Sequence, residues 1–471
     1  MSRDVSQNSE PASTGTPHPQ PRSNPNSHSH PNPRPRFPFA AVAGQTRLKA
    51  ALLASAVDPA IGGLLVRGEK GTGKTTLVRG LPELLPQIRA VKDCPYRCHP
   101  SDEATPHREC AEAIRAARAG EAPAPEEEEM PVPVAELPLG ATEERVAGSV
   151  NLEETLRRGE RRFETGLLAA ANRGILYIDE VNLLEDHLVD LILDAAATGV
   201  NRVEREGFSL EHPARFIPVG TMNPEEGELR PQFLDRFGLC ISIRGEEDPE
   251  TRKEIVWRRM EFEADPAGFA ARWAGEQQRL RQTVADARRR LPEVELPEEL
   301  RDLISALALE AQVQGHRADL VMSRTALALA ALGGREEAGK EHVLEAARLA
   351  LPHRISGAVD ATPESEAERL EQLIAGFDAR TLAQAQEATR EQARRGEKRR
   401  AEEQANETRQ QEAGDGEEAA TSAPGSAGAA DELGADAVAG DYGEGLEELQ
   451  VPGSAAAGSI VFDFLEKKSP R

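Results

Sequence analysis

Between Gly68 and Thr75 the chain reads Gly-Glu-Lys-Gly-Thr-Gly-Lys-Thr, a GxxxxGK(S/T) pattern. Residues of these types at this spacing hold a polyphosphate. Glycines let the backbone N–H groups of the Gly68-Glu69-Lys70-Gly71-Thr72-Gly73 stretch turn inward around an anion, and a helix starting at Lys74, Thr75 and Thr76 presents its positive end to the same charge. Lys74 is then placed to reach the β- and γ-phosphates, and the Thr75 hydroxyl to ligate Mg²⁺. A second constellation lies downstream: the apolar run Ile175–Ile178 ends in Asp179 and Glu180. Asp179 is expected near Mg²⁺ and Glu180 near the attacking water. A third apolar run, Ala214 to Thr221, delivers the amide of Asn223, suited to holding the nucleophilic water or sensing the γ-phosphate. Arg236 sits where a helix end would project past the sheet.

A separate group of possible metal ligands follows the phosphate loop. Cys94, Cys98 and Cys110, with His99 and His107 among them, could supply a tetrahedral Zn²⁺ site. An exposed turn with incidental thiols is the other reading of the same stretch, since no CxxC spacing occurs.

The elements that must position these groups can be read from apolar periodicity. Leu64-Leu65-Val66 reads as a buried parallel strand, preceded by a helix-patterned stretch from Val42 to Leu53 and a turn at Asp58–Gly63. The helix after the loop should run from Lys74 to about Leu81, where Pro82 limits it. Ala117 to Leu139, rich in Ala, Pro and Glu, reads as an inserted flexible loop. Glu153–Arg162, Phe163–Gly174 and Val181–Asp194 are helical in pattern, Gly199–Leu210 alternates like a hairpin, and Leu239–Ile243 is strand-like. After Glu246 the sequence is α-only, broken at Pro292 and Pro297, with a helix starting near Gln314–Leu320 that carries Arg317 and Arg324.

Composition limits the function classes. The 471 residues include only 4% aromatics and carry a formal charge of -24, which disfavours a general nucleic-acid groove. No leader-like apolar segment opens the chain and no run approaches membrane-spanning length, so a cytoplasmic location without membrane insertion is expected. Four cysteines in a chain this long do not make a disulfide framework. Residues 1–36, dominated by Pro, Ser, Asn and His, read as a disordered arm. At the other end, residues 364–413 could form a charged helix, and 414–453, without a basic residue, an acidic solvated linker. Hydrophobicity returns at Ser459–Leu465, a short segment of the kind that docks on something.

These motifs, in this order, resemble the AAA+ ATPase (I) subunit of magnesium chelatase and the closely similar ATPase subunits of cobalt chelatase. The resemblance is carried by FPFAAVAGQ (Phe37–Gln45), RGEKGTGKTT (Arg67–Thr76), the Asp93-Cys-Pro-Tyr segment, VAGSVNLEETL (Val146–Leu156), GLLAAANRGILYIDEVNLL (Gly166–Leu184) and VGTMNPEEGELRPQFLDRF (Val219–Phe237). It covers about residues 37–356 and implies an α/β P-loop NTPase core with a parallel sheet over 37–245 and a C-terminal all-α lid domain over 246–356; composition assigns a charged helix and acidic tail to 357–471. By the same resemblance, Lys74 and Thr75 match the Walker A residues, Asp179 and Glu180 the Walker B acids, Asn223 sensor 1, Arg236 an arginine finger acting on a neighbour's ATP, and Arg317 sensor 2. His316 stands where the family commonly has Leu. VAGQ would lie near the adenine, and the hairpin would be the helix-2 insert of one AAA+ branch. The implied cofactors are ATP and Mg²⁺. The implied partners are further copies in a ring, usually a hexamer, a von Willebrand A-type subunit and a large catalytic subunit that inserts Mg²⁺ into protoporphyrin IX. Cobalt insertion into a corrin precursor and a MoxR-like remodelling ATPase without a tetrapyrrole are the competing readings. A ring helicase is disfavoured by the acidic balance.

Overall fold

Five of the strands form one parallel sheet, and its composition explains why. Leu64–Val66, Ile175–Ile178 and Ile217–Met222 are buried along their whole length, as strands covered by helices on both faces must be. A computed structural model of the chain describes residues 35–69, 71–150, 163–205, 208–227, 229–355, 363–375 and 465. The elements below all lie in the unit Arg36–Arg471. The strands in chain order are β1 (Leu64–Gly68), β2 (Ile88–Val91), β3 (Glu127–Met130), β4 (Val134–Leu137), β5 (Gly148–Val150), β6 (Phe163–Thr165), β7 (Ile175–Ile178), β8 (Val200–Arg205), β9 (Phe208–Pro213), β10 (Ile217–Met222) and β11 (Leu239–Ile243). The sheet order is β11-β1-β10-β7-β4. Every neighbouring pair is parallel, with Leu64 opposite both Val219 and Leu239, and Ile175 opposite both Ile217 and Val134. All five carboxyl ends therefore face the same way. In open parallel sheets that edge is where ligands bind.

Besides the helix expected over Val181–Asp194, which begins only at Asp186 and runs to Thr198, two expectations need correction. The stretch from Ala117 to Leu139 is not simply a loop, because it contains β3 and the edge strand β4. Proline before the first residue of an edge strand removes no ladder hydrogen bond, so Pro131 and Pro133 are compatible with β4. The Glu127–Glu129 run is strand β3, paired antiparallel with β2, and Glu127 takes a cross-strand ion pair from Arg89 at 2.6 Å. Secondly, Phe163–Thr165 is not helix but β6, paired with β5, and the helix is confined to Leu167–Ala171. The hairpin expected after Gly199 is present as β8–β9. The helical expectation for Glu153–Arg162 lies outside the described residues, as do the arm before Pro35 and the linker 414–453.

After β11 the chain is helical: Pro249–Ala264, Pro266–Arg290, Glu298–Glu310, Arg317–Leu332 and Lys340–Ala350. Asp248 and Asp265 cap the first two by accepting from Thr251 N and Gly268 N, both at 2.9 Å. These helices share one apolar core with the nucleotide-binding half. Leu52 and Leu53 of the helix Thr46–Val57 are buried in the same cluster as Leu307, Met322, Leu329 and Leu349. A further helix, Pro363–Ala375, lies beyond the expected lid boundary at 356 and buries Leu370 and Ile374 in that cluster. Leu465, from the apolar segment near the C-terminus, is half-buried against it too.

Candidate functional site

At the carboxyl edge of the sheet the described loop residues follow β1 directly. Gly71 and Gly73 hold φ of 87° and 84°, which side-chain-bearing residues rarely adopt, and a Cβ at either would meet nothing within 4 Å. The loop therefore needs glycine for its backbone turn, and open space surrounds both positions. Thr72 Oγ1 donates to Glu69 O at 3.1 Å, and Lys74 Nζ donates to Gly68 O at the mouth of the loop. Lys70 lies outside the described residues. Lys74–Gly80 forms the expected helix, with Thr76 in its first turn.

The loop is joined to the neighbouring strand ends by a chain of hydroxyls. Thr75 Oγ1 lies 2.9 Å from Tyr177 OH, and Tyr177 OH donates to Asp179 Oδ1 at 3.0 Å. Thr221 Oγ1 donates to the same Asp179 oxygen at 2.7 Å and accepts from Glu180 N at 3.1 Å. Burial is the main force pushing the Tyr177 phenol up to about 12, so it stays a neutral donor at working pH. Glu180 sits at φ 51°, a left-handed conformation uncommon for a residue with a side chain, and this kink turns the chain away from β7 just past Asp179. Asn223, buried, follows β10, its Oδ1 accepting from Glu225 N at 3.4 Å while its carbonyl accepts from Asn182. Lys74, Thr75, Asp179, Glu180 and Asn223 are thus collected at one edge. Sequence reasoning missed Tyr177 and Thr221. The available signal was spacing, since Tyr177 is two residues from Asp179 and shares its face of the strand.

Arg236 and Arg317 are elsewhere. Gly238 N donates to Gly62 O, ahead of β1, and Leu239 opposite Leu64 begins β11, so the turn carrying Arg236 lies at the amino edge. Five-residue β1 separates that edge from the loop by about 13 Å at roughly 3.3 Å per residue. Arg236 pairs with Asp194 at 2.5 Å and Asp190 at 3.3 Å, both on the helix Asp186–Thr198. Arg317, the first residue of its helix, donates to Asp235 O at 3.3 Å. Arg354, which sequence reasoning also missed, is 1% exposed at its side chain and holds the same turn, donating to Asp235 Oδ1 at 2.9 Å, Phe237 O at 2.7 Å and Gly238 O at 2.9 Å. A cavity of about 680 Å³ lies at the end of β11, where Ile243 stands opposite Gly68, and is lined by Gly44, Gln45, Ile243, Arg244 and, from the helical half, Leu349.

The cysteines expected to bind metal also converge. Cys94, Cys98, His107 and Cys110 offer ligand atoms within 4.8 Å of one another. His99 is not among them, its Nδ1 accepting instead from Ser101 N at 3.1 Å.

Comparison with known proteins adds to this geometry. The family model described as magnesium chelatase, subunit ChlI, matches residues 151–237, and the AAA lid domain matches 301–374. The magnesium-chelatase 38 kDa subunit of Cereibacter sphaeroides is 48% identical over 320 residues, covering 68% of this chain and 92% of that protein. The chain belongs to the magnesium chelatase ChlI family. Another member, the magnesium-chelatase subunit ChlI homolog of Methanocaldococcus jannaschii, is 46% identical over 341 residues, covering 72% of this chain and 91% of its own. A chain from a complex between subunits BchI and BchD of magnesium chelatase is 45% identical, with 72% of this chain and 100% of that one covered and a TM-score of 0.40. The fold of this ChlI family member is accordingly an AAA+ α/β core followed by a helical AAA lid. Among its described residues no helix is long and apolar enough to cross a membrane.

Proposed function

We propose that this ChlI family member is the ATPase motor of a chelatase assembly, hydrolysing ATP to drive insertion of Mg²⁺ into protoporphyrin IX. The observation that carries the reading is the division of one reaction centre between two edges of the sheet. Lys74, Thr75, Asp179, Glu180 and Asn223 can bind MgATP and aim water at it, but the arginines that would stabilise the transferring phosphoryl stand a strand length away. Their distance from the loop supports a site completed by an adjoining copy, in a ring where each nucleotide lies between neighbours.

In such a ring Thr75 and Asp179 hold Mg²⁺, Lys74 neutralises the β- and γ-phosphates, and Glu180 takes the proton from a water oriented by Asn223. The neighbour's Arg236 and Arg317 then meet the charge that spreads over the phosphoryl oxygens. The adenine occupies the cavity beside Gly44 and Gln45. Because Arg354 ties the Arg236 turn to the lid segment, a change at the nucleotide is passed to the helical half, and from there to the partners. Those partners are a von Willebrand A-type subunit and the large subunit that binds the tetrapyrrole. The whole assembly works without membrane insertion in the cytoplasm. Zn²⁺, expected on the thiols of Cys94, Cys98 and Cys110, takes no part in this chemistry.

Reconstitution tests the reading. The chain is mixed with both partner subunits, protoporphyrin IX, Mg²⁺ and ATP, and the fluorescence of the metallated porphyrin is followed. Insertion that requires ATP and disappears with Lys74→Ala is the expected result. Brisk ATP hydrolysis with no insertion would remove the proposal, and insertion of Co²⁺ into a corrin in parallel reactions would replace it with the cobalt reading.

A further inference from the structure

Outside the nucleotide site, the group formed by Cys94, Cys98, His107 and Cys110 has chemistry that the ATPase does not use. The structure gives distances of 3.5 Å between Cys94 Sγ and Cys110 Sγ, and 3.5, 3.7 and 3.1 Å from His107 Nδ1 to the sulfurs of Cys94, Cys98 and Cys110. A tetrahedral Zn²⁺ with bonds of about 2.3 Å to sulfur and about 2.0–2.1 Å to nitrogen sets S···S edges of about 3.8 Å and S···N edges of about 3.6 Å. Four donors at those separations outline a single-ion site. They are too far apart for a disulfide, which needs about 2.05 Å between sulfurs.

The surroundings suit a thiolate centre. Cys98 and Cys110 are buried and Cys94 is half-buried. Thr105 Oγ1 lies 3.3 Å from Cys98 Sγ, positioned to donate to it. Cys110 falls in the first turn of the helix Arg108–Arg118, whose amino end favours negative charge, with His107 at the N-cap. The His107 ring is held edge-on to Tyr96 at 4.7 Å, with Nδ1 toward the sulfurs and Nε2 3.8 Å from the Glu109 carboxylate.

The loop closed by Cys94 and Cys98 is also fastened to the turn that feeds β7. Asn172 Nδ2 donates to Tyr96 O at 2.5 Å, and Arg173 donates to Arg97 O at 3.0 Å. In the opposite direction Arg97 donates to Ala170 O at 3.0 Å, at the end of the helix Leu167–Ala171. Asn172 and Arg173 lead into Ile175, and Asp179 follows four residues later at the other end of the strand.

We propose that Cys94, Cys98, His107 and Cys110 bind one Zn²⁺ ion, and that this ion fixes the Cys94–Cys98 loop as a splint on the turn entering β7. The fourth ligand is His107, not a fourth cysteine. Cys240, buried in β11, plays no part.

The test uses the full chain purified without chelator. Elemental analysis should find about one Zn²⁺ per chain, released in step with modification of three thiols. Replacement by Co²⁺ should give the visible bands of a tetrahedral cobalt–thiolate centre. Cys98→Ser and His107→Ala should lose the metal, and His107→Cys should keep it. Stripping the ion from the unmodified chain should accelerate hydrogen exchange at Tyr96–Arg97 and at Asn172–Gly174. A chain that carries no metal under these conditions and forms no cobalt–thiolate centre overturns the site, and that result stands even where a variant fails to fold. Metal that persists in His107→Ala removes the fourth ligand. Unchanged exchange at Asn172–Gly174 after metal removal overturns the splint.

Discussion

Replacing Thr221 with Val keeps the shape of a side chain that is 1% exposed while deleting its hydroxyl. Two hydrogen bonds go with it: the 2.7 Å donation to Asp179 Oδ1 and the 3.1 Å acceptance from Glu180 N. A hydrogen bond to a charged group contributes about 1.5–3 kcal/mol, and because Asp179 is exposed and Glu180 only half-buried the lower part of that range applies here. If Asp179 is a Mg²⁺ ligand, loosening it by about 2 kcal/mol weakens Mg²⁺ by roughly 30-fold, at about 1.4 kcal/mol per decade. Tyr177 OH still holds the same oxygen at 3.0 Å, so the effect should fall at about 10–30-fold on that scale. The assay is the Mg²⁺ concentration giving half-maximal ATPase at fixed free nucleotide. Thr221→Val should need more Mg²⁺ and turn over more slowly at saturation, because Glu180 loses its backbone anchor. Thr221→Ser, which restores the hydroxyl, should recover most of both. An unchanged Mg²⁺ dependence alongside a lowered melting temperature would mean that Thr221 only packs the sheet, and the assignment of Asp179 would fall with it.

Three further outcomes follow from the same geometry. Glu180→Gln should bind ATP as tightly as the unmodified chain and hydrolyse it at least about 100-fold more slowly, the usual share of a general base; normal turnover would move the base elsewhere. Arg354→Met strips the hydrogen bonds to Asp235 Oδ1, Phe237 O and Gly238 O from the Asp235–Gly238 turn, while His353 Nε2 stays 3.1 Å from Phe237 O and Arg317 3.7 Å from the half-exposed Asp235 carboxylate, so a loss of about 1–3 kcal/mol should lower the melting temperature by roughly 2–6 °C. Its ATPase should drop beyond what the unfolded fraction explains, because the Arg236 turn loses its support; intact activity per folded chain would refute that. Burial holds His342 and His353 below their ordinary value of 6.5. The unfolded chain binds protons there that the folded chain does not, so their contribution is present above 6.5 and lost as pH falls below it. Urea midpoints should therefore decline from about pH 7.5 to about pH 5.5, less steeply in His353→Phe, and a rise on acidification would contradict the sign.

The loop glycines, Lys74 and the Asp179-Glu180 pair were legible in the sequence because phosphate and metal chemistry admits few residue types at each position. Strands β1, β7 and β10 were legible because burial on both faces leaves a continuous apolar run, and the edge strand β11 because four of its five residues, Leu239, Cys240, Ile241 and Ile243, are still apolar. Strand β4 was not, since Glu136 interrupts its four residues and its Pro- and Glu-rich flanks look like linker. Tyr177 inside such a run passes for core until its hydroxyl is seen to bridge Thr75 and Asp179. The choice of His107 over His99 rests on three-dimensional direction, which spacing in a turn does not encode. Arg317 could be placed on its helix, but not at the amino edge beside Asp235, because that depends on how the helical half packs against the sheet. Arg354 gave no motif at all, yet it binds the Arg236 turn to the lid, together with Arg317 and His353.

The shared nucleotide site is tested most directly by mixing two inactive chains. Lys74→Ala removes nucleotide binding but leaves Arg236 in place, whereas Arg236→Ala keeps the loop and loses the arginine. Co-assembled with nucleotide, the mixture should regain ATPase that neither variant shows alone, with a maximum near equal proportions. If every mixing ratio stays as inactive as the separate variants, the arginine does not serve a neighbour, and a site completed between adjoining copies is ruled out.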